Sequence, residues 1–530
     1  VRARLADPRT AFWCAVVACV GLLALSVTNV SLWIDEGFIA WAVDHRTPFE
    51  IARALVPPYI PSPADRQYPL YDLWMWVWTR AFGSGEYALR SANLPFGALY
   101  VVALALTCRY GFRRRFAWIP LAFAPFIWYY MNEARPYLML AAFATCAAGA
   151  TAVYAFGPPS SSRHAREYIL PAFFIAWATH ILAVLLLPGI IVTCAIAARY
   201  RRDISLSSWS RPLLIWAIPL VALAVFYGLT LTGGRIVAEV GNNQNRGGSL
   251  TSFAAEVVYE HAGLSGLGPA RNALREFGGL AASTSYAVPL FLGIVGLVLA
   301  VWLGAREGGR RTAVCFAAWA VSFALAIVAS ELLHARFLGR HLAAVFPLLA
   351  IALMSLVRTR LQFALVLAVF AASDLRLALV PDYWKDDYRS AVTDVIERQA
   401  QGGGAIDWVA DDLTANYYGL SLAGDRQAKG AVPVPWPVLA RGTFGMDLRP
   451  ASTMSLLSAQ LHDGKPVYVA ISKGDVFDYY HGWHDAIELL HPDLVAEYRT
   501  FSIYRFGGRE AARKRRTSLA GEPSRTGVLN

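Results

Sequence analysis

Charge is scarce in this chain. Asp, Glu, Lys and Arg together make up 16% of its 530 residues, against about 25% in a soluble globular protein. Hydrophobic residues reach 56% and mean hydropathy is +0.41. That balance excludes an ordinary soluble domain and reads as a polytopic membrane protein. Cysteine is scarce too. The six cysteines, at 14, 19, 108, 146, 194 and 315, all fall in apolar runs or at their ends. Their spacing makes no metal site, and the long polar stretches have none, so no structural disulfide is expected. Acids are fewer than bases, 37 against 48, for a net charge of +11. In a soluble chain that excess would raise nucleic acid as a partner. Here the arginines cluster in short loops between apolar runs, which is a pattern of membrane topology, and no nucleic-acid partner is expected.

Apolar runs long enough to cross a bilayer, about 20 residues each, fall near 11–30, 89–108, 116–131, 136–156, 169–184, 184–198, 212–232, 286–304, 312–331, 342–357 and 361–380. The 169–198 stretch reads as two spans hinged near His180. The first run reads as a span, not a cleaved signal peptide, because more spans follow and no small-x-small site precedes the acids after it. Arginines mark alternate loops: Arg109 with Arg113, Arg114 and Arg115; Arg163 and Arg166; Arg199, Arg201, Arg202 and Arg211; Arg306, Arg310 and Arg311; Arg358 and Arg360. The N-terminus adds Arg2, Arg4 and Arg9. By the positive-inside rule those loops and the N-terminus are cytoplasmic. The first long loop, 31–88, and everything after 381 then face outward. The Tyr71–Gly83 stretch is short and bracketed by Asp72 and Arg80, so it reads as an interfacial helix with its tryptophans at headgroup depth.

Ionisable residues gather at the outward boundaries. Asp35 and Glu36 follow the first span. Arg90 opens the second. Glu133, Arg135 and Tyr137 join two spans, and Arg336, Arg340 and His341 join two more. Such residues are costly at membrane depth unless paired, and they mark functional sites by default. Plainer readings stand beside this one. Asp35 and Glu36 could stop the first helix and sit in water, Glu133 and Arg135 could be a structural pair, and Arg336 and Arg340 could snorkel. Tyr59, Tyr68 and Tyr71 could be interface anchors. Chemically, a carboxylate can take a proton from a hydroxyl nucleophile, and arginines can clamp a phosphate leaving group. An external site has no ATP, so an activated substrate would arrive on a lipid.

Past 381 the pattern changes to alternating short elements. A helix within Tyr383–Ala400, strands at Ala405–Ala410, Val467–Ile471, Val495–Thr500 and Ser502–Phe506, and helices at Asp412–Gly419 and His484–Leu490 predict a small α/β domain. It lacks a Gly-rich phosphate loop. Asp411 and Asp412 read as a helix cap and a solvated face. The 508–530 tail, with Arg513 to Arg516, reads as basic and disordered.

Several patches resemble the GT-C glycosyltransferases, in particular the bacterial branch related to protein O-mannosyltransferases and to the aminoarabinose transferase of lipid A. They are Asp35-Glu36 after the first span; Gln67-Tyr68-Pro69-Leu70-Tyr71, similar to a His-Pro-Pro-Leu-Tyr element; Gly85 to Ser91; Glu133-Ala134-Arg135-Pro136-Tyr137; and Arg336 to Pro347. Gln67-Tyr68 departs from the family's His-Pro, and about eleven spans is fewer than in better-known relatives. The resemblance implies a GT-C-like membrane module over 1–380, with its first extracytoplasmic loop at 31–88, and an extracytoplasmic domain over 381–507. It implies an inverting glycosyltransferase of the bacterial inner membrane with a polyprenyl-phosphate-sugar donor and a lipid, glycan or protein acceptor. Asp35 would be the base and Glu36 its support. Arg135, Arg336, Arg340 and His341 would face the donor phosphate. Arg90, Glu133, Tyr137, Tyr59, Tyr68 and Tyr71 would bind substrate. No cofactor is expected, and the adjacent acid pair implies no metal. A flippase for lipid-linked sugars, or a non-catalytic subunit of an envelope-polysaccharide complex, is the competing class.

Overall fold

The computed structural model describes residues 7–45, 47–54, 69–201, 209–232, 250–270, 284–307, 309–332, 337–420, 450–462, 464–473, 478 and 481–507. The basic tail lies outside them. The chain divides into two compact units. One holds Val1–Asn29 and Arg46–Trp384, the other Val30–His45 and Lys385–Asn530.

The first unit is helical. Among the described residues, eight helices are long and apolar enough to cross a membrane: Pro8–Leu25, Glu86–Gly111, Tyr137–Phe156, Ile181–Tyr200, Ser210–Gly228, Thr284–Arg306, Arg310–Leu332 and Arg360–Leu379. Two further expected spans are the shorter apolar helices Ile119–Met131 and Phe346–Leu356. The latter, at 11 residues, rises about 16 Å, roughly half the hydrocarbon thickness. The remaining expected span is the second half of Pro159–Thr179, whose first half is polar. The expected hinge is present. That helix stops at Thr179, His180 is extended (φ −158°, ψ 133°), and a 3-10 turn over Ile181–Leu186 leads into Leu187–Tyr200. The tryptophan-rich segment is a helix of 14 residues, Pro69–Phe82, too short to cross. Its Trp74 and Trp78 indoles donate to the carbonyls of Ala92 and Ala88, each at 3.0 Å.

Helix ends leave carbonyls unpaired unless something caps them. Two arginines of the basic loops do this. Arg114 Nη1 donates to the carbonyls of Ser355 (3.1 Å) and Val357 (2.6 Å) at the end of Phe346–Leu356. Arg201 Nη1 donates to those of Tyr154 (3.0 Å), Ala155 (3.1 Å) and Gly157 (2.9 Å) at the end of Tyr137–Phe156. Each cation also complements the negative end of a helix dipole. Arg201 thus marks the C-terminal end of the Tyr137–Phe156 helix, about 30 Å from its N-terminal end, and the Tyr110 carbonyl of the Arg109–Arg115 loop comes within 3.0 Å of a Cβ built at Gly157 there.

The second unit is built on a four-stranded sheet of order β1-β2-β4-β3, with β1 Ala405–Val409, β2 Val467–Ser472, β3 Asp493–Tyr498 and β4 Phe501–Phe506. β1 runs parallel to β2, while β4 is antiparallel to both β2 and β3. Period-two alternation splits the core. Trp408, Ala470, Phe501 and Ile503 meet Tyr388, Ala391, Val392 and Val395 of helix Tyr388–Gly402. Val409, Val467, Val469 and Phe506 join Leu457, Trp483 and Ala486 in a second cluster. Ile34, from the segment after the first span, packs against both clusters, which ties residues 30–45 into this unit.

Asp407 on β1 is buried, and its Oδ1 accepts from Gln460 Nε2 at 2.9 Å. Burial raises its pKa to about 6, against roughly 3.9 in an unfolded chain. A raised carboxyl contributes stability that is complete below about pH 4 and lost as pH rises through about 6. Asp407→Asn is therefore expected to be more stable than wild type at pH 7.5, by about 2–3 kcal/mol, and so to melt higher, with the gain shrinking toward pH 4.5. Melting curves of the detergent-solubilised protein at both pH values check this; an equal gain at both would rule out ionisation as the cause.

Candidate functional site

The acid pair opens helix Ile34–His45, where carboxylates suit the positive end of the dipole, and both lie in its first turn. Neither simply sits in water. Glu36 is completely buried, with Oε1 3.2 Å from Lys385 Nζ and Oε2 accepting from the Trp33 amide at 3.4 Å. Asp35 is half-buried. The segment before it is pinned to the same unit: the Leu32 amide donates to the Tyr418 hydroxyl (2.7 Å), and the Arg389 amide donates to Ser31 Oγ (3.1 Å). Lys473 pairs with Asp386 at 2.5 Å and lies 5.8 Å from the Trp33 ring. Gly37 makes the closest approach. A Cβ there would fall 2.9 Å from the Thr414 Cα, so only glycine lets the two helices touch backbone to backbone.

Asp411 caps helix Asp412–Tyr417, its Oδ2 accepting from the Thr414 amide (2.8 Å) and hydroxyl. The expected cap is there, but buried and not on a solvated face. Burial chiefly, then the neighbouring charge of Asp412, raises the Asp411 carboxyl pKa, and Asp35 adds to the effect. Asp35 thus belongs to a group of carboxylates drawn from distant parts of the chain. Among the described residues, no cluster of three or more His, Cys, Asp or Glu side chains could hold a metal ion.

In the helical unit, the polar residues expected at the outward boundaries meet at the N-terminal end of the Tyr137–Phe156 helix. Glu133 and Arg135 are buried in the turn before it, and the Arg135 amide donates to the Glu133 carbonyl at 2.7 Å. Asn93, wholly buried, holds that turn from the second span, its Nδ2 donating to the carbonyls of Tyr130 (3.2 Å) and Glu133 (2.5 Å). The Arg135 guanidinium lies 5.8 Å from the Tyr137 ring, and the rings of His180 and His341 lie 6.3 and 6.4 Å from it. Arg340 and His341 ride a single turn, Gly339–Leu342. That turn is braced by His261, whose Nε2 is 3.1 Å from the Gly339 carbonyl. It is also braced by Glu260, whose Oε2 would lie 2.1 Å from any Cβ at 339.

The candidates therefore separate by unit. Asp35 and Glu36 fold with the C-terminal sheet. Glu133, Arg135, Tyr137, Arg340 and His341 fold with the spans. Arg90 and Tyr71 are fully buried in the helical unit; Arg90 Nη1 donates to the Thr28 carbonyl (3.4 Å), and the Tyr71 hydroxyl donates to Asn93 Oδ1 (3.5 Å). Tyr59, Tyr68 and Arg336 lie outside the described residues. Sequence reasoning took His180 only as a hinge and passed over Asn93, Glu260 and His261. A polar residue breaking or flanking an apolar run was the available signal for each.

No family model and no curated protein matches the chain. Two solved structures align with 94% of it and with 98% of their own chains at 15% identity. They are ArnT from Cupriavidus metallidurans bound to undecaprenyl phosphate, with a TM-score of 0.40, and the same protein in the apo state, with a TM-score of 0.39. At this identity no residue role is carried over from either.

Proposed function

We propose that this protein is a membrane glycosyltransferase that moves a sugar from a polyprenyl-phosphate donor to a hydroxyl of a lipid, glycan or protein at the extracytoplasmic face of the bacterial inner membrane. The observation that carries the reading is the meeting of Arg135, Tyr137 and His341, with Arg340 on the same turn as His341, at the helix end opposite Arg201. With the arginine-rich loops cytoplasmic, the cluster faces outward at membrane depth. A lipid-borne phosphate would reside there. The motif resemblance supplies the reaction class.

In this reading the acceptor oxygen attacks the anomeric carbon as the bond to the phosphate oxygen breaks, and a single displacement inverts the anomer. The motif resemblance assigns the acceptor proton to Asp35. Glu36, neutralised by Lys385, supports the turn that presents Asp35. The negative charge left on the polyprenyl phosphate is stabilised by arginine and by neutral donors. The bond energy arrives with the donor, so the reaction needs no cofactor, and we expect no metal.

Purified protein in vesicles, given a polyprenyl-phosphate sugar and candidate acceptors, tests this. The expected result is free polyprenyl phosphate and a product of inverted anomeric configuration by NMR. Intact donor recovered on the opposite leaflet would instead make the protein a flippase.

A further inference from the structure

His180 was visible in the sequence only as a break between two apolar runs. Its surroundings assign it more. Its Nδ1 accepts the Leu182 amide at 3.0 Å. His341 repeats the arrangement, its Nδ1 accepting the Leu338 amide at 3.1 Å. A ring nitrogen that accepts a hydrogen bond carries no proton, so each neutral imidazole has its single proton on Nε2. Two local backbone bonds thus turn both histidines into Nε2–H donors and deny them the role of base at Nδ1. Both rings flank Tyr137 at nearly equal distance. Arg135 lies over the same ring. The wall around Tyr137 therefore combines a guanidinium with two fixed donors. His180 is wholly buried and Arg135 nearly so, which strengthens each interaction with an anion.

We propose that His180 is a phosphate-binding residue, its Nε2–H acting with Arg135 and His341 on the phosphate group of the lipid donor. The inference rests on the donor reading above and names a residue that the motif resemblance does not include. The lock at Nδ1 gives the imidazole a fixed direction, so it binds without first losing rotamer freedom.

The two jobs of His180 can be separated. His180→Asn keeps a side-chain acceptor for the Leu182 amide but lacks the reach of Nε2. His180→Gln keeps the reach and gives up the local bond. Binding of undecaprenyl phosphate, undecaprenol and inorganic phosphate would be measured on the full-length protein in detergent, with melting temperatures alongside. The expected result is that His180→Asn melts near wild type yet binds undecaprenyl phosphate roughly tenfold more weakly, that His180→Gln retains most of the affinity, and that undecaprenol binding is unchanged. A loss confined to inorganic phosphate would overturn the assignment to the lipid donor and leave free phosphate as the occupant. Wild-type affinity in His180→Asn, alongside a loss in Arg135→Ala, would overturn the role of His180 and leave the donor reading standing. An equal loss for undecaprenol would show that the imidazole serves the lipid tail and would also overturn it. No binding of undecaprenyl phosphate by wild type would remove the donor reading and this inference with it.

Discussion

Asp35→Asn is expected to lower the transfer rate about 10²–10⁴-fold, the range for loss of a positioned general base, while the protein stays folded. The substitution is nearly isosteric. Asp35 is half-buried at the head of its helix, and asparagine is also tolerated at helix starts. What it removes is the capacity to accept a proton. Donor affinity is expected to change little, because the groups assigned to the phosphate belong to the helical unit. Turnover assays with matched binding measurements check the split. A drop in donor affinity with turnover preserved would assign Asp35 to binding and not to proton transfer.

The second large effect concerns its neighbour. Lys385→Met is expected to destabilise the C-terminal unit by about 3–5 kcal/mol, since it leaves the Glu36 carboxylate buried without its cation. Glu36 is fully buried and the Lys385 side chain is 8% exposed, so water cannot replace the missing charge. The double change Glu36→Gln with Lys385→Met is expected to recover most of the loss, because neither charge of the pair remains. Limited proteolysis and thermal melting of the three variants check this. Equal instability of the single and double variants would mean that Lys385 acts through something other than Glu36.

Much of the architecture was legible because it is local. Apolar runs marked each of the eight long apolar helices among the described residues, and alternating β-branched and aromatic residues marked the four strands. The Phe346–Leu356 helix came out shorter than a bilayer because Arg114 and the 339–342 turn close it at either end. The partnership of residues 30–45 with the C-terminal sheet was not legible. It rests on Ile34 in two hydrophobic clusters, on the Glu36–Lys385 pair and on the bare Cα of Gly37 against Thr414. All three join positions more than 340 residues apart, and no local pattern encodes such contacts. The candidate site was half legible for the same reason. Charged residues at span ends stood out, whereas Asn93, His180 and His261 act through backbone bonds that only the folded chain reveals.

Mass spectrometry of envelope lipids and glycans from cells lacking this protein, rescued with wild type or with Asp35→Asn at matched membrane levels, tests sugar transfer through Asp35. A sugar-sized mass is expected to disappear without the protein and to return with wild type alone. Equal restoration by Asp35→Asn would contradict it.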